Sequence, residues 1–129
     1  MHKVVVTDET LNNYSPLVLA YIGDAVFELM VRSQIVLNPG RKLKDMHEDT
    51  VNLVKAQSQA RFIRHLFPEL TEDEQQIVKR GRNTQSSVPK NADVGDYRMS
   101  TGFEALLGYL YLKGDEERLE YLVNKSLQL

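Results

Sequence analysis

The chain has 129 residues, 42% hydrophobic and 26% charged, which excludes a disordered or fibrous protein and implies one soluble globular domain over 1–129. It has no cysteine, which excludes disulfides, thiolate metal sites and a cysteine nucleophile and fits a reducing compartment; His2, His47 and His65 are too scattered to form a short-range zinc pair. The net charge of −2 argues weakly against a nucleic-acid partner, but Gln75–Ala92 holds Lys79, Arg80, Arg82 and Lys90 and no acidic residue, a basic stripe on an acidic body.

The opening MHKVVVTDET has too short an apolar run for a signal peptide or anchor. The longest apolar stretch, interrupted by Asp24 and Glu28, falls short of a membrane span, so a cytoplasmic location without a membrane partner is expected. The first long helix is expected from Ser15, a suitable N-cap, with Pro16 at the first helical position and NPG at 38–40 as its stop. It is apolar nearly all round, which places it at the centre of the core.

From about Leu43 to Leu66 a helical period runs through Met46, Leu53, Val54, Ala60 and Ile63, as one helix or two, closed by Pro68. TEDE at 71–74 is a capping box pairing Thr71 with Glu74, and it opens a short helix toward Gly81. Residues 82–95, RNTQSSVPKNADVG, lack an apolar period and read as a loop longer than most connections. FEALLGYLYL predicts a further helix stopped near Gly114, and DEERLEYLVNKSL a last amphipathic helix capped by Asp115. The fold class is all-α.

Two carboxylates stand out. Asp24, beside Gly23 in LAYIGDAVFE, lies on an apolar helix face, and so does Glu104, one turn before Gly108 in STGFEALLGYLYL. Glycine inside a helix costs about 1 kcal/mol relative to alanine, and a carboxylate among apolar groups needs compensation. Gly23 and Gly108 allow two helix backbones to approach closely, which would bring Asp24 and Glu104 into one pocket. A carboxylate pair of this kind suits Mg²⁺ and metal-assisted phosphodiester hydrolysis. Structural readings stand beside this: Asp24 as a core carboxylate paired with an arginine, Glu104 as the end of a capping box begun at Thr101, and Glu28 as an ordinary i+4 partner of Arg32.

The basic run also has two readings. Lysine and arginine collect at helix C-termini because they complement the dipole. Arg82 and Lys90, however, lie beyond the expected helix, beside hydroxyl and amide donors suited to phosphates.

YIGDAVFE and FEALLGYLYL, in this order and separation, resemble the two motif helices of the ribonuclease III catalytic domain. With KAQSQA, KRGRNTQSSVPKNADV and YRMSTGFEALLGYLYL, nearly the whole chain resembles the Mini-ribonuclease III branch, which has that domain without a double-stranded-RNA-binding domain. The chain's length agrees with that branch.

The resemblance implies an all-helical endoribonuclease that works as a homodimer, cleaves double-stranded RNA with Mg²⁺ and leaves 5′-phosphate and 3′-hydroxyl ends. It further implies maturation of 23S ribosomal RNA precursor ends, with a ribosomal protein as a possible helper. Asp24 matches the family's catalytic aspartate and Glu104 its metal-binding glutamate. Ala20 and Thr101 stand where larger members carry two further carboxylates, which leaves the number of metals open; Glu28 and Asp96 are candidates to contribute through water. Lys79, Arg80, Arg82 and Lys90 would contact phosphates. One rival is a non-catalytic RNA-binding or ribosome-assembly module. Another is a helical nucleotide pyrophosphatase, whose Glu-x-x-Glu pairs would have to be Glu69/Glu72 or Glu117/Glu120.

Overall fold

The computed structural model describes Val4 and residues 6–129; His2 and Val5 of the N-terminal segment lie outside the described residues. Among the described residues seven α-helices follow in order: α1 (Asp8–Asn13), α2 (Pro16–Val36), α3 (Leu43–Val54), α4 (Ala56–Leu66), α5 (Glu72–Asn83), α6 (Val94–Lys113) and α7 (Glu116–Leu127), with a 3₁₀ turn at Phe67–Glu69. The all-α expectation holds.

Local chemistry sets most helix ends. The Ser15 hydroxyl accepts from the Val18 N–H ahead of Pro16. Thr71 and Glu74 form the reciprocal capping box, and Asp115 caps α7. Gly114, at φ 83°, closes α6 in the left-handed conformation that glycine adopts without steric cost.

Several elements differ from the expectation or complete it. The helix α1, capped by Thr7, has no counterpart in the sequence reading. α5 runs on to Asn83 and α6 begins at Val94 behind an Asp93 cap, so the loop is shorter than 82–95. Thr101 therefore lies inside α6, where its hydroxyl donates to the Tyr97 carbonyl at 3.1 Å, and it does not open a capping box for Glu104. The period over 43–66 is two helices, broken at an extended Lys55 (ψ 154°).

The centre of the core is α6, not α2. α2, α4 and α5 pack around α6. α2 turns Leu19, Ala20, Gly23, Phe27, Val31 and Ile35 inward at helical spacing. Its other face leaves Leu17, Val18, Leu29 and Val36 exposed, with Tyr21 at 82% exposure. An apolar surface meant for another surface gives the same sequence pattern as one meant for the core. Phe27 of α2, Phe62 of α4 and Phe103 of α6 meet edge to face, with centroids 5.1–6.3 Å apart, and fix the three helices against one another.

Candidate active site

α2 and α6 cross backbone against backbone. A Cβ built on Gly23 would lie 1.8 Å from the Glu104 carbonyl oxygen, and one on Gly108 would lie 1.9 Å from that of Leu19. Only glycine fits at either position, and the contact puts Asp24, next to Gly23, against the side chain of Glu104. The two carboxyl groups share a hydrogen bond. Asp24 is exposed and Glu104 half-buried, so the pair sits where the core meets the surface. Beside Asp24 opens a shallow depression of about 400 Å³ lined by Ala25, Glu28, Leu29 and Arg32.

Burial first, then the hydrogen bond and charge of Asp24, push the Glu104 carboxyl up to about 8 against a lowering bond from Gln59. Near neutral pH the bare Glu104 carboxyl therefore favours its protonated form. A hard divalent cation, which prefers carboxylate oxygen, can take that proton's place, so the donor set fits Mg²⁺.

No third ligand stands beside the pair: among the described residues no three His, Cys, Asp or Glu side chains form a metal-binding cluster. Ala20 is buried in the core, and the Thr101 hydroxyl is engaged within its own helix. Glu28 pairs with Arg32 at 2.8 Å, as expected from its spacing. Asp96 is held by Arg64 at 2.7 Å. Among the described residues no arginine reaches Asp24, which sets aside its reading as an arginine-paired core carboxylate.

The basic residues do not form one stripe. Lys79 and Arg82 lie three apart on one side of α5; the Lys79 ammonium sits 5.9 Å from the Phe67 ring centroid, and Arg82 donates to Asn83. Arg80 turns away from them into a groove that also holds Asp8, Asp73 and Lys113. Lys90 is exposed in the connection between α5 and α6.

A second basic region escaped the sequence reading. Lys55, Arg61 and Arg64 line a groove of about 560 Å³ with Ser58 and Asp96. Arg61 and Arg64 lie on a helix that reads as ordinary amphipathic surface, and Lys55 stands at its N-cap. Gln59, which bonds to Glu104, was missed as well. Its signal was a polar residue in phase with the buried Ala60, Phe62, Ile63 and Leu66.

The ribonuclease III domain family matches residues 17–115, from the start of α2 to the cap of α7, and the chain belongs to this family of endoribonucleases. The relatives narrow the placement to the short branch that the sequence resembles. The chain is 46% identical over 126 residues to the Mini-ribonuclease 3 of Thermoanaerobacter sp., covering 97% of this chain and 89% of the relative. To the Mini-ribonuclease 3 of Streptococcus pneumoniae it is 45% identical, covering 92% and 94%. The crystal structure of a protein from Fusobacterium nucleatum superposes with a TM-score of 0.83 at 29% identity, over 90% of this chain and 93% of that one. Among the described residues no helix is long and apolar enough to cross a membrane.

Proposed function

We propose that this endoribonuclease cleaves double-stranded RNA with Mg²⁺ held by Asp24 and Glu104, and that it matures the ends of 23S ribosomal RNA precursors in the cytoplasm. The observation that carries the reading is the hydrogen-bonded carboxyl pair at the α2–α6 crossing, with Glu104 displaced far above its ordinary range. The resemblance to the Mini-ribonuclease III branch supports the 23S precursor as substrate and a ribosomal protein as helper.

When bound, Mg²⁺ supplies Lewis acidity toward a phosphate oxygen and lowers the pKa of an attacking water. The chain's own groups supply position. Asp24, the exposed member, faces the substrate side, and Glu104 braces it from the core. Water adds to phosphorus in line with the departing 3′ oxygen: a P–O bond forms, the P–O3′ bond breaks, and the 3′ oxygen gains a proton. The products carry 5′-phosphate and 3′-hydroxyl ends.

Phosphate contacts fall to Lys79, Arg80, Arg82 and Lys90. Placement favours Arg82 and Lys90, since the Lys79 ammonium lies over a ring and Arg80 shares its groove with two carboxylates. RNA duplexes are recognised mainly by shape and backbone, so weak sequence preference follows. The exposed apolar face of α2, which passes beside Asp24, supports a homodimer.

Incubating the purified protein with a 23S precursor duplex, with and without Mg²⁺, and mapping the ends tests the reading directly. Cleavage with Mg²⁺ alone, abolished in Asp24→Asn while RNA binding persists, is expected. Full Mg²⁺-dependent activity in Asp24→Asn contradicts the assignment. Duplex binding without any Mg²⁺-dependent product gives the rival reading of a non-catalytic RNA-binding module.

A further inference from the structure

The stretch KAQSQA, residues 55–60, has no part in the function proposed above, yet it meets the site. Lys55 adopts an extended backbone and ends α3, which frees the carbonyls of that helix's last turn. Two side chains from the first turn of α4 take them up. The Ser58 hydroxyl donates to the Asn52 carbonyl, and the Gln59 Nε2 donates to the Val54 carbonyl at 2.8 Å.

The same Gln59 Nε2 also donates to Glu104 Oε2 at 3.3 Å. The Val54 carbonyl can only accept, which fixes the NH₂ end of the carboxamide there and leaves Oε1 as the other end. Gln59 is 2% exposed, and Oε1 is buried without a hydrogen-bond partner. Capping the Val54 carbonyl accounts for the NH₂ end of the carboxamide, but an unpaired buried acceptor is unfavourable, and that contact leaves Oε1 unexplained.

We propose that Gln59 is a positioning residue of the active site: it orients the Glu104 carboxylate for Mg²⁺, and its free carboxamide oxygen accepts a hydrogen bond from an ordered water beside the carboxyl pair. The inference rests on the reading of Asp24 and Glu104 as the metal-holding pair. One carboxamide then ties the α3–α4 break to the ligand on α6, as groups behind metal ligands commonly fix ligand orientation.

Gln59→Met and Gln59→Leu keep similar bulk and remove both hydrogen-bonding ends. Loss of such a supporting group typically lowers metal affinity or activity by about 10–100-fold, so the Mg²⁺ concentration for half-maximal cleavage should rise by that factor, with KM for the RNA duplex unchanged. Electron paramagnetic resonance titration of the RNA-free protein with Mn²⁺ should show the same weakening. In the parental protein, which needs no variant to fold, the Gln59 side-chain NH₂ signals in nitrogen-15 spectra should shift on adding Mg²⁺ and stay still in Glu104→Gln. Parental Mn²⁺ affinity and Mg²⁺ dependence in both Gln59 variants, or NH₂ signals indifferent to Mg²⁺ while Glu104→Gln loses metal, overturn the positioning role. If Asp24→Asn and Glu104→Gln also bind Mn²⁺ as the parent does, it is the underlying metal-site reading that falls.

Discussion

Glu104 ties the chemistry of the site to the stability of the fold. Its carboxyl, raised from an ordinary 4.5 to about 8 by burial and by Asp24, binds a proton more tightly in the folded than in the unfolded chain. The stabilisation from that proton is fully present below the ordinary value and is lost as pH rises through the folded one. The metal-free protein should therefore lose thermal stability between about pH 5 and 8 through this group and level off above. Glu104→Gln, a neutral isostere, should remove that contribution, so melting curves in EDTA should slope less with pH in the variant than in the parent. Equal slopes would take the group out of the account. Mg²⁺ competes with the same proton, and its stabilising effect should grow over the same interval and be absent in Glu104→Gln.

At the scale of elements, the α2–α6 crossing was legible because glycine beside a carboxylate on an apolar helix needs a reason, and LAYIGDAVFE and FEALLGYLYL each carry one such pair. The caps at Ser15, Thr71 and Asp115 were legible too, because capping is local chemistry. The break at Lys55 was not. Lysine is a good helix former, and the residues that make the break tolerable, Ser58 and Gln59, act after the chain has turned. The start of α6 was hidden for a similar reason: VGDYRMS shows no apolar period, and its first turns are held by the Asp93 cap and by contacts with other helices. Gly23→Ala tests the crossing. Its methyl would meet a backbone oxygen, which cannot rotate aside as a side chain can, so the loss of stability should reach the upper part of the usual overpacking range, about 3 kcal/mol. Urea denaturation measures it, and a shift below about 0.5 kcal/mol, the scale of an ordinary surface substitution, is incompatible with the packing described. Cleavage at a temperature where the variant is folded should fall as well, because the displaced group is Glu104 itself.

Across the whole molecule, the same sequence feature misleads and informs. The apolar residues of α2 suggest a helix buried all round, whereas Leu17, Val18, Tyr21, Leu29 and Val36 face outward. Tyr21 is the most exposed of them, and Leu29 lines the depression beside Asp24. In a two-fold dimer each such residue is used twice, and a central tyrosine is a common anchor. Tyr21→Lys should therefore weaken the proposed dimer by roughly 100-fold in Kd, or about 2.7 kcal/mol, while leaving helix content unchanged, since the side chain supports little within its own chain. Sedimentation equilibrium over a concentration series reads the dissociation directly, and circular dichroism checks the fold. A parent that remains monomeric at high micromolar concentration, or a variant as dimeric as the parent, removes the dimer from the proposal. Duplex cleavage should fall together with dimer population, since each carboxyl pair lies beside the outward face of α2 and a duplex spanning both needs the second chain in place.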